Sequence, residues 1–237
     1  MTTTNAVRRP ADTTGRQAAW TAAISLLLSA VLAPWSYLYV LPRVLFRDDV
    51  GEVVRNVGAH PGLLFAAILG LVLTFVADVL IAWALYVLLA PVNRSLSMLT
   101  AWFRLVYTAL AAVALGPLVT VLRLVRASGA LDAVEAAPPN AEVRLLIHAF
   151  RAGWSVGFYF FVVHLLLLGW LVFRSGRVPR TIGVLLALNG LGYLVDTLRP
   201  YAFPGVSLPF LPVLFFGELV FMVWLFWKAP RWDAEDR

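Results

Sequence analysis

The sequence predicts an all-α polytopic integral membrane protein: a bundle of six transmembrane helices with a short amphipathic helix between spans one and two. Two observations carry the prediction. Hydrophobic residues make up 61% of the chain and charged residues 14%, against roughly 25% charged in an average soluble domain. The apolar residues also gather into six runs long enough to cross a bilayer, and with 237 residues in all the spans and short connections leave no room for a separate soluble domain. A net charge of +6 would suit nucleic acid, but the basic residues stand in short clusters beside apolar runs, where topology explains them. The expected surroundings are the lipid bilayer, with no nucleic-acid partner. With no cysteine in the chain, disulfides, thiolate catalysis and cysteine metal sites are excluded.

Residues 1–17 form a polar tail with Arg8, Arg9 and Arg16, and span one follows over about 18–41. A secretory signal peptide is the rival reading, with Val31 and Ala33 before a cut. Pro34 after the cut and an apolar run reaching Tyr39 argue against it. Trp35, Tyr37 and Tyr39 read as an interfacial belt. Asp49 and Glu52 are spaced as a capping box, and Val50, Val53, Val54 and Val57 fall at i, i+3, i+4 and i+7 before Gly58, which is a surface-lying amphipathic helix. Span two (about 63–89) and span three (about 96–122) form a hairpin through APVNRS. A polar connection with Pro138 and Pro139 leads to Asn140, a candidate cap, and span four (about 145–173). The turn RSGRVPR returns the chain into span five (about 181–198), and Pro200, Pro204, Pro209 and Pro212 mark an irregular linker and a kinked start to span six (about 208–227), which a tail, 228–237, follows.

Orientation follows from Lys and Arg near span ends. The two tails and the turns after spans two and four hold ten, the opposite set seven. The ten sit in short flanks, where the positive-inside rule operates best, so both termini are expected in the cytoplasm of a multi-pass cell-membrane protein.

At about 1.5 Å of rise per residue, Arg104 and Asp78 come out roughly 14 to 18 Å deep from the cytoplasmic end. His164, Asn189 and Glu218 land in the same layer, so five helices each offer one polar group near the bilayer centre. A lone charge there costs at least roughly 2.5 to 3.5 kcal/mol, so the groups are expected to face inward and neutralise one another. Asp78 and Arg104, on one hairpin, form the natural ion pair. An outer layer comprises His148 and Arg151 on span four with Asp196 and Arg199 on span five, and Arg151 and Asp196 are placed to pair across the two helices. Glycines of these spans (Gly153, Gly157, Gly169, Gly183, Gly190 and Gly192) permit close helix contacts.

Standard chemistries find no footing. His148 and His164 share one helix at different depths and His60 lies in a loop, which does not suit bis-histidine haem. No HExxH, GxSxG, Walker-type or Rossmann glycine pattern occurs. No cofactor or metal site is expected. YVLLAPVNRSLSMLTAWFRL, FFVVHLLLLGWLVFRSGRVPRTIGVLLALNGLGYLVD and the GEL around Glu218 resemble the bacterial membrane family described as domain of unknown function 4386. The most specific pieces are PVNR with Phe103 and Arg104, His164 followed by Gly169, the RSG at Arg174, Pro179 with Arg180, and GYLVD ending at Asp196. Asn189 and Val163 stand where the family pattern implies small or apolar residues. The resemblance implies a six-span protein of uncharacterised activity.

Hairpins two–three and four–five share one interval, Asp78 to Arg94 and His164 to Arg180, a faint hint of a repeat. Three functional readings remain. The central layer binds or moves a small polar solute or proton, with Asp78 and Glu218 as acceptors, His164 as proton carrier and Arg104 as anchor or counter-ion. Alternatively the layer serves only helix packing in a structural or partner-binding membrane protein. The third reading, an intramembrane enzyme on a lipid-like substrate, uses the same carboxylates.

Overall fold

In the computed structural model of the chain, which describes residues 14–130, 140–202 and 216–234, the first apolar run is helical from Gly15. Helix α1 (Gly15–Pro34) starts in a capping box: the Thr14 hydroxyl accepts from the Gln17 amide at 3.2 Å, and the Gln17 side chain accepts from the Thr14 amide at 3.2 Å. That box moves the start three residues ahead of the position hydropathy suggests. Between Pro34 and Pro42, neither of which has a backbone N–H to donate, the helix relaxes into a π-helical segment (Trp35–Val40) and then continues as α2 (Leu41–Val44). Of the three aromatics read as an interfacial belt, Trp35 and Tyr39 face outward. Tyr37 turns in and stacks on Trp154, with ring centroids 4.9 Å apart.

The amphipathic helix is α3 (Val50–Ala59), with Val53 and Val57 buried. Asp49 caps it by accepting from the Gly51 amide at 2.9 Å. The reciprocal half of the expected capping box is replaced: Glu52 turns to Arg47, 3.5 Å away. Helix α4 (Pro61–Leu89) carries span two, and Asn93 caps α5 (Arg94–Ala114) through the Leu96 amide at 2.9 Å. Span three is not one unbroken helix. It is interrupted at Leu115 and resumes as α6 (Gly116–Ala130), because Pro117 cannot donate to the carbonyl of Val113.

Span four is α7 (Asn140–Arg174) and span five α8 (Arg180–Ala202). They cross where two glycines meet: a Cβ at Gly169 would stand 2.7 Å from the Gly183 carbonyl oxygen, and one at Gly183 would stand 2.7 Å from the Gly169 carbonyl oxygen. No side chain larger than hydrogen fits on either helix without pushing the backbones apart. Helix α9 (Gly217–Lys228) and a 3₁₀ segment (Ala229–Ala234) complete the described chain.

Packing runs in chain order around a closed ring. α1 lies on α4, α4 on α5, α5 on α7, α7 on α8 and α8 on α9, and α9 returns to α1. Helix α3 covers one end of this ring against α6 and α7. Five helical stretches among the described residues are long and apolar enough to cross a membrane, at Gly15–Val44, Pro61–Leu89, Arg94–Arg126, Asn140–Arg174 and Arg180–Ala202. The sixth expected span is represented by α9, whose 12 residues extend only about 18 Å, short of a bilayer core. Residues 208–215 of that span, with Pro209 and Pro212, lie outside the described residues, as do Pro204, the Pro138–Pro139 connection and residues 1–13 of the N-terminal tail.

Candidate functional site

Arg104 is the hub. On α5, residues Ser97, Thr100, Ala101, Arg104, Tyr107, Thr108 and Ala111 make up one buried face, a stripe at helical spacing that is small or polar instead of leucine-rich. The two threonine hydroxyls satisfy themselves on their own helix: Thr100 donates to the Leu96 carbonyl at 2.7 Å and Thr108 to the Arg104 carbonyl at 2.8 Å. Between them Arg104 extends into the ring interior, 2% exposed.

Its guanidinium gathers three other helices. Nε and Nη2 both donate to Asp78 Oδ1 on α4, at 3.1 and 2.6 Å. Nη1 donates to Glu218 Oε1 on α9 at 3.0 Å and to His164 Nε2 on α7 at 3.1 Å. Four of the five N–H donors are thus placed on side chains from three helices. Phe161, one turn before His164, stands beneath the guanidinium, 5.5 Å from ring centroid to carbon.

The bonding around His164 sets its tautomer. An arginine can only donate, so Nε2 offers its lone pair, and the opposite nitrogen, Nδ1, donates its hydrogen to the Thr100 carbonyl at 2.9 Å. Both ring nitrogens are engaged, and the imidazole is neutral in this arrangement. It is fully buried.

Asn189, the fifth member of the central layer, is 1% exposed on α8. Neither atom of its amide head has a hydrogen-bond partner. Its Cβ lies 3.0 Å from where a Cβ of Gly217 would stand, and that Cβ would also come within 2.6 Å of the Leu185 carbonyl oxygen. Glycine at 217 therefore lets α9 approach α8 closely, with Asn189 against the residue that precedes Glu218. The structure thus brings Asp78, Arg104, His164 and Glu218 into one bonded cluster, while Asn189 packs against α9 at Gly217.

The outer layer does not assemble in the same way. Asp196 pairs with Arg199 of its own helix at 3.3 Å, both side chains being more than 40% exposed. Arg151 lies over the Phe46 ring, 4.2 Å from its centroid, and His148 is exposed. The cross-helix pair of Arg151 with Asp196 is absent among the described ion pairs. The i,i+3 spacing puts Arg199 one turn from Asp196 on the same helix, where it takes that carboxylate.

Sequence reasoning missed an aromatic column that connects the layers. Phe150, Trp154, Phe158 and Phe161 follow one another on α7 with centroids 5.5, 5.9 and 6.1 Å apart, and His164 continues the row at 5.7 Å. Tyr193 of α8 stacks on Phe158 at 5.0 Å, and Tyr107 of α5 reaches Phe161 at 4.7 Å. The signal was present in the sequence as aromatic spacing of 4, 4 and 3 along one helix face.

Comparison with known proteins places this architecture. Residues 21–229 match the family described as domain of unknown function, DUF4386. The chain belongs to the DUF4386 family. An uncharacterised protein of Archaeoglobus fulgidus is 34% identical over 168 residues, covering 70% of this chain and 85% of that protein, so the similarity extends to an archaeon. No solved structure matches the chain. The DUF4386 cluster described above therefore has to be read from its own chemistry.

Proposed function

We propose that this DUF4386 protein is a six-span cell-membrane protein, with both termini cytoplasmic, that binds or moves a small polar solute or proton at the buried cluster. The observation that carries the reading is a charge count. His164 is neutral and Arg104 supplies one positive charge against the carboxylates of Asp78 and Glu218, so the ionised cluster holds one negative charge in excess. At the centre of a bilayer such a charge costs at least about 2.5 kcal/mol, and a counter-charge from outside the cluster removes that cost.

Glu218 is the natural place for it. Asp78 takes two N–H bonds from Arg104 and its side chain is 3% exposed, whereas Glu218 takes one bond and is 20% exposed. With both nitrogens of His164 committed, the proton acceptor in this reading is Glu218 and His164 is the fixed neighbour that holds Arg104. A reading in which the cluster serves only helix packing draws support from the density of its internal bonds, which tie α4, α5, α7 and α9 together.

Infrared spectroscopy of the full chain in nanodiscs separates the two. In choline chloride at neutral pH the wild type should show the deuterium-sensitive carbonyl band of a buried carboxylic acid, and Glu218→Gln should remove it. A wild type without such a band would mean that no exchangeable proton neutralises the cluster, and the binding reading would fall.

A further inference from the structure

We propose that a small monovalent cation exchanges with the proton at Glu218, held between the free oxygen of that carboxylate and the Asn189 amide in the seam of α8 and α9. The inference rests on the binding reading above and names the class of solute. Four features of the structure lead to it. The cluster lacks one positive charge, which sets the valence of the solute at one. Arg104 uses Oε1 of Glu218, and among the described residues no hydrogen bond reaches Oε2. Asn189 keeps both atoms of a buried amide unpartnered, although a buried polar group without a partner is rare and itself asks for a ligand. Gly217, the residue before Glu218, would carry a Cβ 3.0 Å from the Asn189 Cβ, so the orphaned amide stands on the helix that packs against the start of α9.

The groups facing Glu218 from each packed element agree with this assignment. Arg104 of α5 binds the other oxygen, Asp78 of α4 is neutralised by that same arginine, and His164 of α7 is held by Arg104 and Thr100. From α8 come Asn189 and, one turn on, Tyr193, which stacks on Phe158. The buried face of α1, against which α9 also packs, presents alanines with Ser25 and Leu26 and no titratable group. Cation entry converts the Glu218 carboxylic acid to carboxylate, the O–H bond breaks, and its proton leaves to bulk water as the cation takes its place. Charge at the site is unchanged through the exchange. Sodium, potassium, ammonium and methylammonium share the chemistry required, a single charge directed at oxygen acceptors.

The test is displacement of the Glu218 carboxylic-acid band in nanodiscs, titrating each of those four chlorides against choline chloride at constant ionic strength. At least one should bleach the band saturably while choline does not. Asn189→Leu, which keeps the branching at Cγ and removes the amide, should raise the bleaching midpoint at least tenfold. Glu218→Asp keeps the charge and should retain a band with a shifted midpoint, a control in case Glu218→Gln folds poorly. If the band is present and none of the four salts bleaches it, the site holds a proton only and the cation inference fails while the binding reading stands. Equal bleaching by choline, or an unchanged midpoint in Asn189→Leu, overturns the inference as well.

Discussion

Removing each charged member of the cluster should destabilise the protein to a different extent, and the order follows from the bonding. Arg104→Met strands two carboxylates at once. Breaking a buried pair by deleting one partner costs about 3 to 5 kcal/mol, so this variant belongs at the top of that range or above it. Asp78→Asn removes the charge from the group that accepts two N–H bonds at 3.1 and 2.6 Å, but Arg104 keeps Glu218. The loss should be that of hydrogen bonds to a charged group, about 1.5 to 3 kcal/mol. Glu218→Gln deletes the surplus charge and leaves the Asp78 and Arg104 pair neutral, so its cost should be the smallest, about 1 kcal/mol or less. Combining Asp78→Asn with Arg104→Met should cost less than the sum by more than about 1 kcal/mol, since Asp78→Asn removes one of the two carboxylates that Arg104→Met strands. Reversible unfolding in mixed micelles measures all four. Additive losses for the double variant, or a Glu218→Gln protein as unstable as Arg104→Met, would refute the charge count on which the function rests.

Topology and the histidine supply three further tests. Reporter fusions after Arg94 and Arg180 should read cytoplasmic and one near Asn140 external, and the reverse pattern would overturn the orientation inferred from the basic flanks. Nitrogen-15 spectra of the purified protein should show His164 as a single Nδ1–H tautomer, because an arginine faces Nε2 and a carbonyl faces Nδ1. His164→Gln, which can still offer an oxygen to Arg104, should be more stable than His164→Leu by about 1 to 3 kcal/mol, and equal stabilities would show that the contact with Arg104 is energetically empty.

The helices long and apolar enough to cross a membrane, and the meeting of Asp78, Arg104, His164 and Glu218, were legible because ionisable residues are so rare in apolar runs that position alone singles them out. Depth counted along each span put Asp78, Arg104, His164, Asn189 and Glu218 at one level. Rotation about each helix axis was the missing coordinate. It decides that Arg104 spans the ring to reach Glu218, that Asp196 meets Arg199 and not Arg151, and that Tyr37 turns inward while its neighbours face out. Local covalent facts account for other departures. Pro117 interrupts the third run, Pro34 and Pro42 bracket the π-helical turn, and a Thr14 cap outranks hydropathy in setting the first residue of α1. The aromatic column escaped because large apolar residues on a spanning helix face lipid as readily as they face a core, and spacing says which residues share a face without saying which face is inside.

One local field opposes the surplus negative charge and has to be weighed against it. Glu218 is the second residue of α9 and lies in its first turn, where the helix dipole presents about half a positive charge to a carboxylate. That contribution is typically about 0.3 to 1 kcal/mol and reaches about 2 in partly buried settings. The penalty for one uncompensated charge at bilayer depth begins at about 2.5 kcal/mol on insertion scales and is larger on others. The dipole therefore softens the excess without cancelling it. The same field acts on the ionised carboxylate, the form in which the proposed cation would be held. A helix that begins at Gly217, one residue ahead of the acid and pressed against α8, thus places Glu218 on Arg104 and turns its N-terminal dipole toward the same carboxylate.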